Sequence, residues 1–384
     1  MTIDAERFVA LRRQLHAEPE LSYQEVKTSA LVAGLLDEWG YEVVTGIGGT
    51  GVVGTIRQGH GPLSIGLRAD MDALPIEEAT GLPYASTVKG SMHACGHDGH
   101  TAILLAAAQE LAETRQFSGT VHVIFQPAEE NGAGARRMMA DGLFERFPVD
   151  AVFGLHNWPG VPAGSFRFIE GPAMASVDLA VIRIHGKGGH GARPHEAVDP
   201  IVAAASLIMA LQTIVSRNLD PLDAAVVTVG TIHGGIAPNV IPDHVELQIT
   251  IRSFDDSVRR AIRERIVALA ETHAASFGTR AEIRYPRGYP VLINHPRQTD
   301  FARQTAIRHF GVERVGSLRP IMASEDFAFM LEQKPGSYLF VGNGPSADLH
   351  SPHYDFNDAI LPAAARYWVA LAQDFLAANA GAAE

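Results

Sequence analysis

Cysteine is almost absent from this sequence: Cys95 is the one cysteine among 384 residues, so no disulfide can form within the chain. A chain of this length without disulfides has to be stabilised by packed apolar cores, which is typical of proteins in a reducing compartment. The N-terminal stretch carries charges throughout and lacks the apolar segment of a signal peptide. We therefore expect a cytoplasmic protein.

Basic residues are scarce relative to acidic ones, with 31 Lys and Arg against 43 Asp and Glu and a net charge of −12. An acidic surface repels nucleic-acid phosphates, which argues against a nucleic-acid partner. Long apolar runs are also missing. The most apolar stretch, residues 201–215, is interrupted by Ser206, Gln212 and Thr213, and it is shorter than the roughly 20 residues that span a membrane. We therefore expect neither a nucleic-acid partner nor a membrane partner.

Several catalytic motifs are missing as well. There is no G-x-S-x-G nucleophile elbow and no H-E-x-x-H zinc motif, so a serine hydrolase and a single-zinc thermolysin-type enzyme have no support. Gly46, Gly48 and Gly51 fit G-x-G-x-x-G. However, they precede a strand pattern instead of a helix, and the dinucleotide-binding interpretation requires a helix at this place.

Apolar strand patterns alternate with helical patterns up to about Gly171 and again after about residue 288. This alternation predicts an α/β domain with a mostly parallel sheet and helices on both faces. Between these parts the order is strand, helix, strand, strand, helix, strand, which is the ferredoxin-like βαββαβ arrangement. We therefore predict a catalytic domain of residues 1–173 and 288–384, interrupted by an inserted lid or dimerisation domain of residues 174–287.

Potential metal ligands follow strand patterns in four separate stretches of the predicted catalytic domain: Cys95, His97, Glu130, His156 and His350. Taken singly, a histidine at the end of a strand is more often structural. However, the carboxyl ends of parallel strands share one edge, so we expect these side chains to converge. Thiolate, imidazole and carboxylate are ligands of zinc and other first-row divalent ions. Five ligands exceed one tetrahedral site, which predicts two metals sharing a ligand, a geometry suited to hydrolysis.

Glu129 lies directly before Glu130 in FQPAEEN. Neighbouring side chains of an extended chain point to opposite sides. One carboxylate can therefore bind a metal while the other faces a water and acts as a base. Taken alone, this segment is better explained as a solvated turn.

Further acidic residues follow other strand or turn patterns. Asp70 and Asp72 lie in LRADMDALP, after an apolar strand pattern, where each could be a metal ligand or could orient an imidazole. We favour the orienting role for Asp72. Glu325 and Asp326 are similar candidates, although acids near a helix N-terminus are an equally good explanation.

The predicted insertion contains three residues that could contact a substrate. His190 lies on a glycine-rich segment, Asn239 in APNVIP and Arg252 in ITIRSF. Imidazole and amide groups can donate to a developing oxyanion, and arginine can bind a carboxylate through two hydrogen bonds. Turn formation by the glycines and prolines, and a surface position for Arg252, are the alternative explanations.

Segments along nearly the whole chain resemble the hippurate hydrolase and N-acyl-L-amino-acid amidohydrolase family of dinuclear metallopeptidases, which includes plant auxin-conjugate hydrolases. These segments include GLRADMDALPI, MHACGHDGH, FQPAEE, GLHNWP, GGHGARPH, APNVIPD and LHSPHYDF. The resemblance implies two divalent ions per subunit, held by the five ligands named above. The thiolate favours zinc, nickel or cobalt over magnesium, and the resemblance adds manganese. The resemblance also implies that Cys95 bridges the ions and that Glu129 is the general base. It further implies a homodimer formed through the inserted domain, with His190 serving its own or the partner subunit and with Asn239 and Arg252 contacting the substrate.

We therefore predict a metal-dependent hydrolase of linear amide bonds that cleaves N-acyl amino acids, such as hippurate or N-acetyl amino acids, to a carboxylate and a free amino acid. A metallo-dipeptidase or carboxypeptidase is the alternative among enzymes, because a peptide bond is also an amide. A non-catalytic metal-bound scaffold or binding protein is the alternative outside enzymes. Such a protein would not need Glu129, and a purely structural site closes its coordination shell.

Overall fold

The computed structural model describes residues 3–378, which form two compact units. The larger unit comprises the chain up to Gly171, Ile293–Arg319 and the chain from Asp326 onward; the smaller unit comprises Pro172–Leu292 and Pro320–Glu325. The short return segment of the smaller unit lies outside the predicted insertion of residues 174–287. Residues 1–2 and 379–384, which the predicted domain ranges include, lie outside the described residues.

Ten α-helices lie within the described residues: α1 (Ala5–Ala17), α2 (Val26–Glu38), α3 (His97–Thr114), α4 (Gly134–Ala140), α5 (Leu143–Arg146), α6 (Pro200–Leu211), α7 (Asp256–Ser276), α8 (Pro296–Phe310), α9 (Ala328–Leu331) and α10 (Leu361–Ala377). No helix in this part of the chain is both long and apolar enough to cross a membrane.

The strands of residues 3–378 are β1 (Glu42–Ile47), β2 (Gly51–Gln58), β3 (Ser64–Asp70), β4 (Gly119–Gln126), β5 (Ala151–Pro159), β6 (Phe166–Phe168), β7 (Gly171–Met174), β8 (Ser176–His185), β9 (Gly189–His190), β10 (Ala225–Gly234), β11 (Val240–Ile241), β12 (His244–Ser253), β13 (Arg280–Arg284), β14 (Leu292–Asn294), β15 (Val315–Ser317) and β16 (Gly336–Gly344).

The larger unit contains one eight-stranded sheet in the order β1-β2-β4-β3-β5-β16-β6-β15. Its four central strands, β4, β3, β5 and β16, are mutually parallel. The pairs β1–β2, β2–β4 and β16–β6 are antiparallel. Strands β1 and β2 are joined by a short turn, and a short turn permits only antiparallel pairing.

Side chains of the central strands alternate between the two faces of this sheet. Ile65 and Leu67 of β3 belong to the apolar core that they share with residues of α1, α2, α3, α8 and α10. Arg68, which directly follows Leu67, is buried on the opposite face of the sheet. Its guanidinium lies 5.7 Å from the ring centroid of Phe327, the residue before α9. Helices therefore cover both faces, which confirms the predicted α/β class.

Helix α3 is the central helix of the larger unit, and nearly all of its side chains are buried. It begins directly after Gly96, which adopts a left-handed conformation with φ 90°. A Cβ atom at this position would lie 2.4 Å from Oδ1 of Asn157, so the backbone approach requires glycine. The turn at Gly96 positions Cys95 before the helix and His97 at its first residue.

The smaller unit is built around an antiparallel sheet in the order β10-β12-β8-β13. Helices α6 and α7 follow β8 and β12 along the chain, which gives the predicted ferredoxin-like βαββαβ order. Alternate residues of β12, including Val245, Leu247 and Ile249, are buried in one core with apolar residues of both helices. Asp199 accepts a hydrogen bond from the Ile201 amide at the start of α6, as expected of a helix cap.

Two glycines in helices give opposite expectations for the same substitution. We expect Gly34→Ala in α2 to raise the free energy of unfolding by about 1 kcal/mol, because the new methyl group meets no atom within 4 Å. Gly99→Ala in α3 would place Cβ 2.3 Å from the buried Phe356 ring, and overpacking of this kind costs about 1–3 kcal/mol. Urea unfolding of both variants measures these changes, and equal effects at the two positions would contradict the packing argument.

Candidate metal centre

Cys95, His97 and His156 form the most buried part of the candidate site. Each can place a ligand atom within 4.8 Å of the other two. The Sγ atom of Cys95 lies 3.3 Å from Nε2 of His156. His156 lies on β5, whose carboxyl end reaches the same edge of the sheet as the start of α3. The start of helix α3 and the carboxyl end of strand β5 thereby bring one thiol and two imidazoles to one place.

The remaining predicted ligands meet the same thiol. Cys95, Glu130 and His350 form a second cluster with ligand atoms within 4.8 Å, and His97, Glu129 and Glu130 form a third. The Nε2 atom of His350 lies 3.3 Å from Oε1 of Glu130, and the His350 side chain is 54% exposed. The structure thus brings all five predicted ligands and Glu129 together, with Cys95 common to two clusters.

Asp72 holds the two glutamates in place. Its carboxylate accepts hydrogen bonds from the backbone amides of Glu129 and Glu130, both at 3.0 Å, and from the Ser22 hydroxyl at 2.7 Å. Its carbonyl oxygen lies 2.9 Å from Nδ1 of His97. These contacts fix the backbone of one ligand-bearing turn and the ring of a second ligand, which is the orienting role that the sequence favoured for Asp72.

Asp326 acts on the same turn from another element. Its carboxylate accepts hydrogen bonds from Nε2 of Gln126 at 2.7 Å and from the Ala135 amide at 2.9 Å, on either side of the glutamates. Its own amide donates to Oε1 of Glu129 at 3.3 Å. Glu325, the neighbouring candidate, belongs to the smaller unit.

Asp70 and His100 form a further cluster with His97. The Nδ1 atom of His100 lies 2.6 Å from Asp70, and its Nε2 atom lies 2.7 Å from Oδ1 of Asn157. His100 is therefore hydrogen-bonded on both ring nitrogens. It connects Asp70 at the end of β3 to Asn157, the residue after His156 on β5. The sequence did not indicate this role, although the spacing of three residues from His97 on a helix is the signal that could have revealed it.

A buried arginine ties the N-terminal helix to this region. Arg12 of α1 donates from Nε to Asp358 at 2.8 Å, and its other nitrogens lie 3.4 Å from Asp98 and 3.2 Å from Asp355. His16, one turn later, lies 2.8 Å from the same carboxylate of Asp98. These ion pairs join the start of α3 to the loop that follows the last ligand.

Charge is concentrated around the buried thiol. Burial raises the pKa of Cys95 well above its usual value, and the carboxylates of Glu130 and Glu129 raise it further. Burial has the opposite effect on His156: it lowers the pKa well below the usual value, so this imidazole is neutral. The Nδ1 atom of His156 lies 2.6 Å from a backbone carbonyl and donates to it, which leaves the Nε2 lone pair directed toward the thiol.

His97 responds to its acidic surroundings. Burial alone would lower the pKa of its ring, but Asp70 and Asp72 raise the pKa to about 10. Because Nδ1 donates to the Asp72 carbonyl, Nε2 is the atom left for a ligand. A cation that binds here at neutral pH has to displace protons from His97 and Cys95.

The residues present fit a metal. The Nε2 atom of His97 and Oε1 of Glu130 are buried without a hydrogen bond among the described residues, and the one contact given above for Oε1 is the ion pair with His350. Buried polar atoms are normally hydrogen-bonded, and a coordinated cation would satisfy both of these. The set of one sulfur, three imidazoles and carboxylates suits borderline-soft divalent ions better than magnesium.

The predicted residues of the insertion all lie in the smaller unit. His190, on β9, is exposed and lies directly opposite Val240 of β11. The neighbouring Asn239 carbonyl accepts from the Gly191 amide at 2.8 Å. Arg252, on β12, donates to the Ser324 hydroxyl at 2.9 Å. His190 and Asn239 thus lie close together at the exposed pair of short strands β9 and β11, whereas Arg252 lies on a separate strand.

Residues 66–374 match the profile of peptidase family M20/M25/M40. The chain is 45% identical to the hippurate hydrolase of Campylobacter jejuni over 96% of both chains. It is 44% identical to N-acetyl-L-cysteine deacetylase of Bacillus subtilis, over 97% of this chain and 89% of that protein. A dinuclear metal binding peptidase of Bacillus subtilis superposes with a TM-score of 0.83 at 37% identity, over 97% of this chain and 98% of that one.

Asp72→Asn tests the support of the ligand-bearing turn. An amide group can accept one of the two backbone hydrogen bonds, but its NH2 group opposes the other. We expect the affinity for divalent metal to fall about 10–100-fold, as is typical when a ligand's supporting partner is changed.

A competition titration against a chelator measures this affinity, with circular dichroism to check the fold. Ser22→Ala is the matched control because it removes only the hydroxyl contact to the same carboxylate. A larger loss in the serine variant than in Asp72→Asn would contradict the assignment of the two backbone amides to Asp72.

Proposed function

The chain belongs to peptidase family M20/M25/M40, and from this premise we propose that it is a metal-dependent amidohydrolase that cleaves N-acyl-L-amino acids to a carboxylate and a free amino acid. The observation that carries the proposal is the single thiol of Cys95, which is shared by two ligand clusters next to Glu129. The similarity to a hippurate hydrolase and to an N-acetyl-L-cysteine deacetylase supports a substrate of the N-acyl amino acid class.

The proposed cofactor is a pair of divalent ions, zinc, manganese, nickel or cobalt, held by Cys95, His97, Glu130, His156 and His350, with Cys95 as the shared ligand. Bound there, two such ions would lower the pKa of a water and polarise the amide carbonyl. The thiol has to stay reduced to bind metal, which supports the expected cytoplasmic location.

Glu129 is the proposed general base. It takes a proton from the attacking water, whose oxygen bonds to the amide carbon, and passes this proton to the leaving nitrogen as the carbon–nitrogen bond breaks. Its carboxylate is buried, and the Asp326 amide donates to it at 3.3 Å, which supports a fixed orientation. Glu130, whose backbone is held by the same Asp72, remains available as a ligand.

The smaller unit has a proposed role in substrate binding and in forming a homodimer. In this proposal His190 and Asn239 donate to the developing oxyanion, and Arg252 holds the carboxylate of the amino acid. Strand β10 is an edge strand, and edge strands pair readily with another chain. Exposed apolar side chains nearby, such as Met209 of α6 and Ile232 of β10, support an interface between two copies.

Glu129→Gln is expected to retain both metal equivalents and to lower kcat by about 10²–10⁴-fold, since it removes the base but no proposed ligand. Glu130→Gln is the matched comparison: the same change at the next residue is expected to lower the metal content itself. Metal analysis by mass spectrometry and turnover of N-benzoylglycine measure the two effects. Full turnover in Glu129→Gln would remove this residue from the role of base.

The same assay separates the alternative activities. Hydrolysis of N-benzoylglycine and N-acetyl amino acids in preference to dipeptides supports the amidohydrolase, whereas the reverse preference indicates a dipeptidase or carboxypeptidase. Absence of turnover in a fully metal-loaded protein would favour a binding protein.

Mixing two inactive variants tests whether His190 serves the partner subunit. A dimer of one Glu129→Gln and one His190→Ala subunit contains one site with both natural residues if His190 acts across the dimer, and none if it acts within its own subunit. After random exchange of subunits we therefore expect about a quarter of the wild-type activity. Activity no higher than that of the separate variants would assign His190 to its own subunit.

A further inference from the structure

A pocket of about 230 Å³ in the smaller unit is lined only by charged side chains: Asp178, Asp256, Arg259, Arg260, Arg263 and Arg287. Four arginines against two aspartates give it a formal charge of +2, in a chain whose net charge is −12. The first turns of helix α7 carry most of these residues. The positive end of the helix dipole adds to the attraction for an anion.

Arg259 is the buried arginine of this pocket, with a side chain only 6% exposed. Its Nε and Nη2 atoms donate to the two oxygens of Asp178 at 2.7 and 2.5 Å. Asp178 is itself held by the Gly288 amide, which donates to it at 2.8 Å. The guanidinium is therefore fixed in orientation, with Nη1 on the side away from Asp178.

The Nη1 atom of Arg259 is buried and has no hydrogen-bond partner among residues 3–378. Its nearest carboxylate oxygen, Oδ1 of Asp256, is 3.8 Å away, beyond hydrogen-bond distance. A buried charged donor left unsatisfied is costly, which makes this an unusual arrangement unless a ligand or water accepts from it.

A second buried polar atom belongs to Tyr285, which contacts Arg263 of the pocket. The Tyr285 hydroxyl also lacks a hydrogen-bond partner in the described part of the chain. The guanidinium of Arg263 lies 5.1 Å from the centroid of the Tyr285 ring, a cation–π contact that restrains it. Arg260 and Arg287 are mostly exposed, and their guanidinium groups lie 3.8 and 3.6 Å from the Asp256 carboxylate at the edge of the pocket.

We propose that this pocket is a binding site for a dianionic oxoanion of the phosphate type. The formal charge of +2 matches a dianion. Donors that converge from separate arginines suit the three or four oxygens of a tetrahedral group better than the two coplanar oxygens of a carboxylate. The pocket takes no part in the proposed amide hydrolysis, so it would be an additional site.

Isothermal titration of the metal-loaded full chain with inorganic phosphate, at constant ionic strength, tests the proposal. We expect saturable binding of one phosphate at this pocket, weakened roughly tenfold in Arg263→Gln and in Arg260→Gln by the loss of one charge-assisted hydrogen bond. Both side chains are exposed, so the fold should be retained. Arg265→Gln, on the same helix but outside the pocket, is the matched control and should bind as the wild type does.

The comparison of variants separates this pocket from any phosphate bound at the metal centre, because only binding here depends on Arg260 and Arg263. Glycerol phosphate is titrated in parallel: tighter binding of the ester indicates a phosphorylated metabolite as the source, tighter binding of the free ion indicates inorganic phosphate, and either supports the site. Affinity that is unchanged in both pocket variants, no measurable binding at millimolar phosphate, or equal binding of acetate would overturn the proposal.

Discussion

Negative charges that are brought together away from water repel one another, and this repulsion is the constraint around which the larger unit is built. Asp70, Asp72, Glu129 and Glu130 converge beside a buried thiol. The protein offsets part of this charge with its own cations, as the raised pKa of His97 indicates. The negative charge that these cations do not offset would attract a divalent cation. This attraction is strong because the low local dielectric strengthens every charge interaction.

Such a cluster can persist only if its members are held by groups outside it. Asp72 binds the backbone of the glutamate turn, and Asp326 binds the residues on either side of that turn. Both carboxylates are fully buried and accept several hydrogen bonds. Burial alone would raise the pKa of Asp72, but its hydrogen bonds with His97 and Ser22 hold this pKa below its usual value. Thus the site depends on a network of carboxylates that are themselves not proposed ligands. Hydrogen bonds to these carboxylates thus fix the loop residues that carry ligand atoms as firmly as the residues of the preceding strands.

The sequence predicted the α/β class, the ferredoxin-like order and the residues that meet at the candidate centre, because each rests on local pattern. Periodicity reports strands and helices, and Cys95 is conspicuous as a lone thiol among histidines. Contacts between distant segments leave no such pattern. The sequence on either side of Asp326 does not indicate that its carboxylate accepts hydrogen bonds from Gln126 and Ala135. Likewise, the antiparallel pairing of β6 with the distant strand β16 and the return of Pro320–Glu325 to the smaller unit depend on tertiary packing, which local patterns do not encode.

The ion pairs of Arg12 have a consequence for how the protein is made. Arg12 and Asp358 are separated by 346 positions in the chain, and they bracket every residue of the candidate centre. During synthesis the loop that carries His350 leaves the ribosome after the segments that carry the other four ligands. The centre therefore cannot be completed before this loop has emerged. Until then the thiol of Cys95 belongs to a partly assembled site and is open to metal ions or oxidants in its surroundings.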